Sequence, residues 1–199
     1  MSFDRASGCA MIGGMRIGAI LLAVWAQGAL AEEVCPPAPD HGVELARLIG
    51  ELRDAPSQGA AILIMNRMWG LWADAPDEAA QDMLDRGMER RAAAEYDAAL
   101  EVLNGLVAYC PDYAEGFNQR AFALFLSRDY AAAVEDLDRA LELNPTHLGA
   151  LTGRAMSLMA LGRDDEAQAD LREALGLNPW LPERNLYRGD APGPGESDL

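Results

Sequence analysis

Apolar residues recur along this chain at helical spacing, and the helices they predict come in pairs. Leu45, Leu48, Ile49 and Leu52 share one face and predict a helix over residues 43–54, which Asp40 can cap. Pro56 and Ser57 break that pattern, and residues 58–73 predict a second helix. This second helix is apolar nearly all round, with Ile62, Leu63, Ile64, Met65, Met68, Trp69, Leu71 and Trp72 interrupted only by Asn66 and Arg67. Such a helix is expected to be buried on more than one side. From there the spacing gives helices over 77–93 and 97–108, then from Asp112 to about Leu126 and over 131–143, then from Thr146 to Leu161 and from Asp164 to about Leu175. Pro76 suits a first helical turn, Asp112 with Glu115 reads as a capping box, and Thr146 and Asp164 read as N-caps. A short helix over 181–187 is expected to cover the end of the set.

The pairs repeat. Pro111, Pro145 and Pro179 stand 34 residues apart, preceded by Cys110, Asn144 and Asn178. In the same frame fall Arg86, Arg120 and Arg154; Gly87, Ala121 and Ala155; Ala99, Ala133 and Ala167; Leu103, Leu137 and Leu171; and Leu106, Ala140 and Ala174. Small residues let helix backbones approach, and large apolar ones fill the space between. One hairpin cannot bury this much apolar surface alone, whereas a stack can. A 34-residue period with small residues near positions 8, 20 and 27 and a proline near its end resembles the tetratricopeptide repeat family. The resemblance implies an all-α fold, an α-solenoid wound as a right-handed superhelix. Its units would be 80–113, 114–147 and 148–181, within a repeat region 77–188 that includes the capping helix. Residues 32–76 would be a proline-rich lead and a degenerate N-terminal hairpin, an atypical terminal unit. Residues 189–199, rich in Gly, Pro and acid, read as a disordered tail.

The resemblance also implies a job, holding a protein or peptide along the concave groove. Groove-facing columns of the family place Leu84, Asn118 and Thr152 in one row, Met88, Phe122 and Met156 in the next, and Arg91, Phe125 and Met159 with Leu126 beyond. This wall is soft and apolar, and methionines adapt to varied partners. The opposing reading is that the protein fills its own groove, through the apolar second helix or by self-association. Trp69 and Trp72 admit two readings as well, core packing or a ligand-stacking platform. The family's clamp for a partner's terminal carboxylate uses lysine and asparagine; here lysine is absent and only Asn118 fits, so that clamp is rejected. Arg120 and Arg154, each 16 residues before Asp136 and Asp170, predict a repeated ion pair across each hairpin.

Residues 1–31 resemble a secretory leader: Arg5 and Arg16 flank the apolar stretch 17–30, and Ala29, Leu30 and Ala31 form a small-x-small site. The apolar run is too short to span a bilayer, so no stable membrane insertion is expected after cleavage. Export implies an oxidising, periplasmic setting. In an antiparallel stack Cys35 and Cys110 lie on the same edge, and the extended lead after Cys35 reaches about 13–16 Å. A disulfide is therefore expected, worth on the order of 4 kcal/mol; the alternative is two independent thiols. The formal charge is −16, with 16 basic residues that are all arginine. That charge opposes nucleic acid and anionic membranes and keeps an exported protein soluble. His41 and His147 lack metal-ligand spacing with the cysteines, and neither a nucleophile–base pair nor a phosphate loop stands out, so neither enzyme activity nor a metal or cofactor is expected. The expected function is a periplasmic adaptor or scaffold for a cell-envelope protein. The alternatives are a holdase resembling the periplasmic repeat chaperones of c-type cytochrome assembly, and a self-associating structural subunit.

Overall fold

A computed structural model describes residues 34–190; the expected leader and all but the first two residues of the expected tail lie outside this range. The described residues form eight α-helices and a closing 3₁₀-helix, with no strand. The helices are α1 Gly42–Arg53, α2 Gln58–Trp72, α3 Glu78–Ala92, α4 Tyr96–Tyr109, α5 Ala114–Leu126, α6 Tyr130–Leu143, α7 Leu148–Ala160 and α8 Asp164–Leu177, followed by the 3₁₀-helix Pro182–Leu186. No described helix is long and apolar enough to cross a membrane. From α3 to α8 the chain is an all-α solenoid of three hairpins, in which each helix packs chiefly on its neighbours in sequence.

The repeated columns explain this regularity. Ala99, Ala133 and Ala167 are fully buried where the helices of each hairpin meet. At Gly87 a Cβ would lie 2.6 Å from Leu103, so the first hairpin closes more tightly than its alanine counterparts allow. Each hairpin turns through one left-handed residue at the same register: Ala94 (φ 59°), Arg128 (φ 66°) and Gly162 (φ 74°). The following N–H reaches back five residues each time, Glu95 to Arg90, Asp129 to Leu124 and Arg163 to Leu158, which satisfies carbonyls at the helix end. Between hairpins, Asn144 and Asn178 accept from the N–H of Thr146 and Trp180, a local turn before the next unit. Cys110 stands in that asparagine column and bonds Cys35 instead.

Arginine stitches the units together. Arg154 donates to both Asp170 oxygens within its own hairpin, at 2.9 and 2.7 Å, and to Asp138 of the preceding one at 2.7 Å. These acceptors, Asp170 first, hold the Arg154 guanidinium well above its ordinary value. Arg120 repeats the arrangement with Asp136 and Asn104. Arg86, whose position 16 residues on is Val102, pairs only with Asp82 on its own helix.

Three expected caps are not made. Tyr113 precedes α5 without a side-chain cap, and Glu115 is drawn inward. The cap of α7 is His147 rather than Thr146, its ring Nδ1 accepting from Ala150. Asp164 is already inside α8 and pairs with Arg188.

The N-terminal hairpin also differs from expectation. It does not stack ahead of the first repeat. His41, just before α1, meets Asp74 at 2.7 Å, and Arg53 at its other end donates to the Gly176 carbonyl at 2.8 Å. Helix α1 thus runs across the turns from the first hairpin to the last turn of α8. Helix α2 doubles back, and its Met68 and Trp72 share one core with Ala121, Leu148, Leu151 and Leu175 of the solenoid. Helix α2, expected to be buried on more than one side, buries Ala61, Met68 and Trp72 but leaves Ile62 and Leu63 53 % and 68 % exposed. The tryptophans need a deeper wall than a terminal position offers, and the concave side supplies it. The disulfide between Cys35 and Cys110, 75 residues apart, anchors the lead to α4.

Two substitutions test this account. Arg154→Ala leaves Asp170 buried and unpaired and is expected to cost about 2–3 kcal/mol in denaturant melts, with Asp170→Ala adding little to it. Arg128→Gly relieves a left-handed residue and is expected to gain about 0.5–1 kcal/mol in the same assay.

Candidate functional site

Helices α3, α5 and α7 form the concave wall, and its two tiers have different fates. The lower tier, at the N-terminal ends of α5 and α7, is occupied by the chain itself. Glu115, Asn118, Gln119 and His147 are all buried there. Because His147 Nδ1 accepts from Ala150, its Nε2 carries the proton and donates to Glu115 at 2.8 Å. Asn118 and Gln119 donate to the same carboxylate at 3.0 and 2.6 Å. Three donors compensate a buried carboxylate that would otherwise be costly.

Helix α2 closes over this cluster. The Trp72 ring stacks on His147, centroids 4.3 Å apart and 19° from parallel, and Trp69 meets Trp72 edge-on at 5.3 Å. The Tyr113 hydroxyl donates to the Trp72 carbonyl at 2.9 Å, and burial pushes its phenol well above the usual range. A Cβ on Gly149 would come within 2.8 Å of the Trp69 ring, so the missing side chain makes room for α2. Both tryptophans therefore pack against the chain's own wall, and the apolar second helix does fill part of the groove.

The upper tier stays open. Phe122 is 45 % and Met156 37 % exposed, while Met88, the third member of that row, is half-buried against the first hairpin's core. Beside them lies a cleft of about 210 Å³, lined by Asn118, Phe122, Phe125, Thr152 and Met156 together with Trp69 and Glu183. Arg91 stacks on Phe122, its guanidinium carbon 4.1 Å from the ring centroid. Burial pushes that guanidinium down from its ordinary value and the charge of Glu115 pulls it back up.

The structure thus gathers five of the ten sequence-predicted groove residues around one cleft, with Arg91 one ring away. Leu84 is corrected: it is wholly buried in the core of the first hairpin and offers no surface to the groove. Met159 packs on the core of the last hairpin instead of the cleft, and Leu126 is half-buried away from it. Sequence reasoning missed Glu183 altogether, since it lies outside the groove columns of a repeat; of the two readings open for Trp69, both hold in part, for it packs on the chain's own wall and also lines the cleft. Glu115 and His147 carried a usable signal: the column of Tyr113, His147 and Leu181 is buried in all three units, so a histidine there needs an internal partner. No group of three or more His, Cys, Asp or Glu that could hold a metal ion exists among the described residues.

Tetratricopeptide repeat models match residues 114–147 and 148–179. Among solved structures, the first TPR of Spaghetti (RPAP3) bound to HSP90 peptide SRMEEVD is similar at 25 % identity and a TM-score of 0.54, covering 55 % of this chain and 86 % of that one. The second TPR of the same protein, bound to the same peptide, is similar at 26 % identity and 0.50, over 51 % and 94 %. The Arabidopsis OM64 TPR domain shares the fold at 23 % identity and 0.53, over 55 % and 90 %. No curated protein matches the chain.

Removing the Trp72 ring opens a cavity over His147. Trp72→Ala is expected to cost about 3–5 kcal/mol, and limited proteolysis should then cut between α1 and α2 before the repeats. Simultaneous loss of both parts would show that the hairpin is not separately docked.

Proposed function

The chain belongs to the tetratricopeptide repeat family, and on that premise we propose that it is an adaptor that holds a protein or peptide segment against the open upper tier of its concave face. The observation that carries this reading is the exposure of Phe122 and Met156 beside a formed cleft, on the wall of a repeat fold. An apolar wall left uncovered by the chain that folded around it marks a binding surface. Similar repeat domains hold a peptide, the HSP90 peptide SRMEEVD in both Spaghetti structures. Here the chain's own α2 takes the lower tier, so the segment held is short, a few residues rather than a helix running the length of the groove.

The setting we propose is the cell envelope, with the protein exported and the partner a periplasmic or envelope protein. Its support is the leader-like pattern of residues 17–31 and the pairing of Cys35 with Cys110, chemistry that persists outside the reducing cytosol.

Phe122→Glu combined with Met156→Glu places two charges on the open tier without touching the buried cluster. The double variant is expected to lose capture of crosslinked partners in the native compartment, while its helical circular dichroism stays unchanged and its melting temperature holds within a few degrees. Capture at the wild-type level would overturn the groove assignment.

A further inference from the structure

The cleft beside Phe122 is built from acceptors and aromatic faces. Three uncharged polar side chains line it, and each already donates into the chain's own structure. The Asn118 amide donates to Glu115 at 3.0 Å, the Thr152 hydroxyl to the Leu148 carbonyl at 3.0 Å, and the Ser157 hydroxyl to the Gly153 carbonyl at 2.8 Å. Trp69, Phe122 and Phe125 add rings, and Met156 adds a polarizable sulfur. On the same lining stands Glu183, from the 3₁₀-helix that follows the last repeat.

Among the described residues, Glu183 is the one carboxylate with a buried oxygen that lacks a partner. Its Oε2 is buried and has no hydrogen-bond partner. No arginine answers it. The adjacent Arg184 turns back to the Pro179 carbonyl at 3.0 Å, and Arg91 lies over Phe122 without lining the cleft. A carboxylate oxygen withdrawn from water without a donor is costly unless a ligand supplies one.

We propose that this cleft is a pocket for one basic side chain, an arginine or lysine carried by the bound segment, with Glu183 as its counter-ion. The inference rests on the groove reading above and names what the groove selects. A basic side chain has an apolar stem for Met156 and the rings, and a cationic head for the carboxylate and the aromatic faces. About 210 Å³ admits one long side chain and not a helix. The charge of −16 draws a basic segment toward the surface before contact. The occupant is a foreign protein segment; a second copy of this chain could offer only arginine, since the sequence contains no lysine.

The test is selection of displayed random dodecapeptides on the full chain, followed by synthesis of the enriched sequences. Enriched peptides are expected to carry Lys or Arg at one fixed position among apolar residues. Replacing that residue by Gln should weaken binding to the wild type at least tenfold. Glu183→Gln should weaken the basic peptide by a similar factor, leave the Gln peptide unchanged, and melt no lower than the wild type, since it removes an unpaired carboxylate. Enrichment of apolar peptides without a basic position, or discrimination undiminished in Glu183→Gln, overturns the pocket and leaves the groove reading standing. Failure to enrich any peptide overturns both. A concentration-dependent dimer that Glu183→Gln dissolves would assign the cation to a second copy and overturn the choice of a foreign partner.

Discussion

The stack of Trp72 on His147 is the contact through which the two halves of this molecule constrain each other. The histidine is held from two sides, by the Ala150 N–H on one nitrogen and by Glu115 on the other, so its ring presents a fixed face. A flat aromatic face buried in apolar surroundings is a good seat for a second ring. Once Trp72 is seated, Tyr113 grips the end of α2 through its carbonyl, and Trp69 is directed onto the bare backbone of Gly149. The hairpin then has one place to lie. What remains of the concave wall after it has settled is the tier around Phe122 and Met156.

That division reconciles two readings of the same residues. A repeat solenoid offers a continuous inner wall, and continuous walls of this length can hold an extended or helical guest. In this chain part of the wall already has a guest. Covering the lower tier buries the polar cluster of Glu115 and His147 and leaves a largely apolar cleft with one carboxylate, Glu183, in its lining. On the proposed reading, selectivity is concentrated in few contacts, as is common in binding surfaces dominated by a handful of anchors.

How much of this could be read from the chain depends on the range of each interaction. Contacts between successive helices recur every 34 residues, so the alanine and leucine columns and the Arg–Asp pairs stand out as a period. The ion pair of Arg154 with Asp170 was legible for that reason; the structure adds that Arg86, with Val102 in the partner column, pairs on its own helix instead. Docking of α1 and α2 has no period. Trp69 meets Gly149 and Arg53 meets Gly176 once each, and nothing local marks either pairing. Glu115 was misread because three residues after Asp112 is also where a capping acid belongs; burial, which local spacing does not encode, decided against it. Of the cleft, the walls contributed by repeat columns were visible, whereas Trp69 and Glu183 arrive from segments on either side of the repeats.

Repeat stacks ordinarily assemble through contacts between residues close in sequence, which makes them quick to form and tolerant of interruption. The hydrogen bond from Arg53 to Gly176 joins groups 123 residues apart and changes that. Helix α1 finds its seat only after α8 has been made. As the chain folds, α1 and α2 must wait, with Trp69 and Trp72 uncovered, until the solenoid that seats them has formed. Over that interval the whole inner wall is bare, and the chain's own beginning competes with any other molecule that reaches it first.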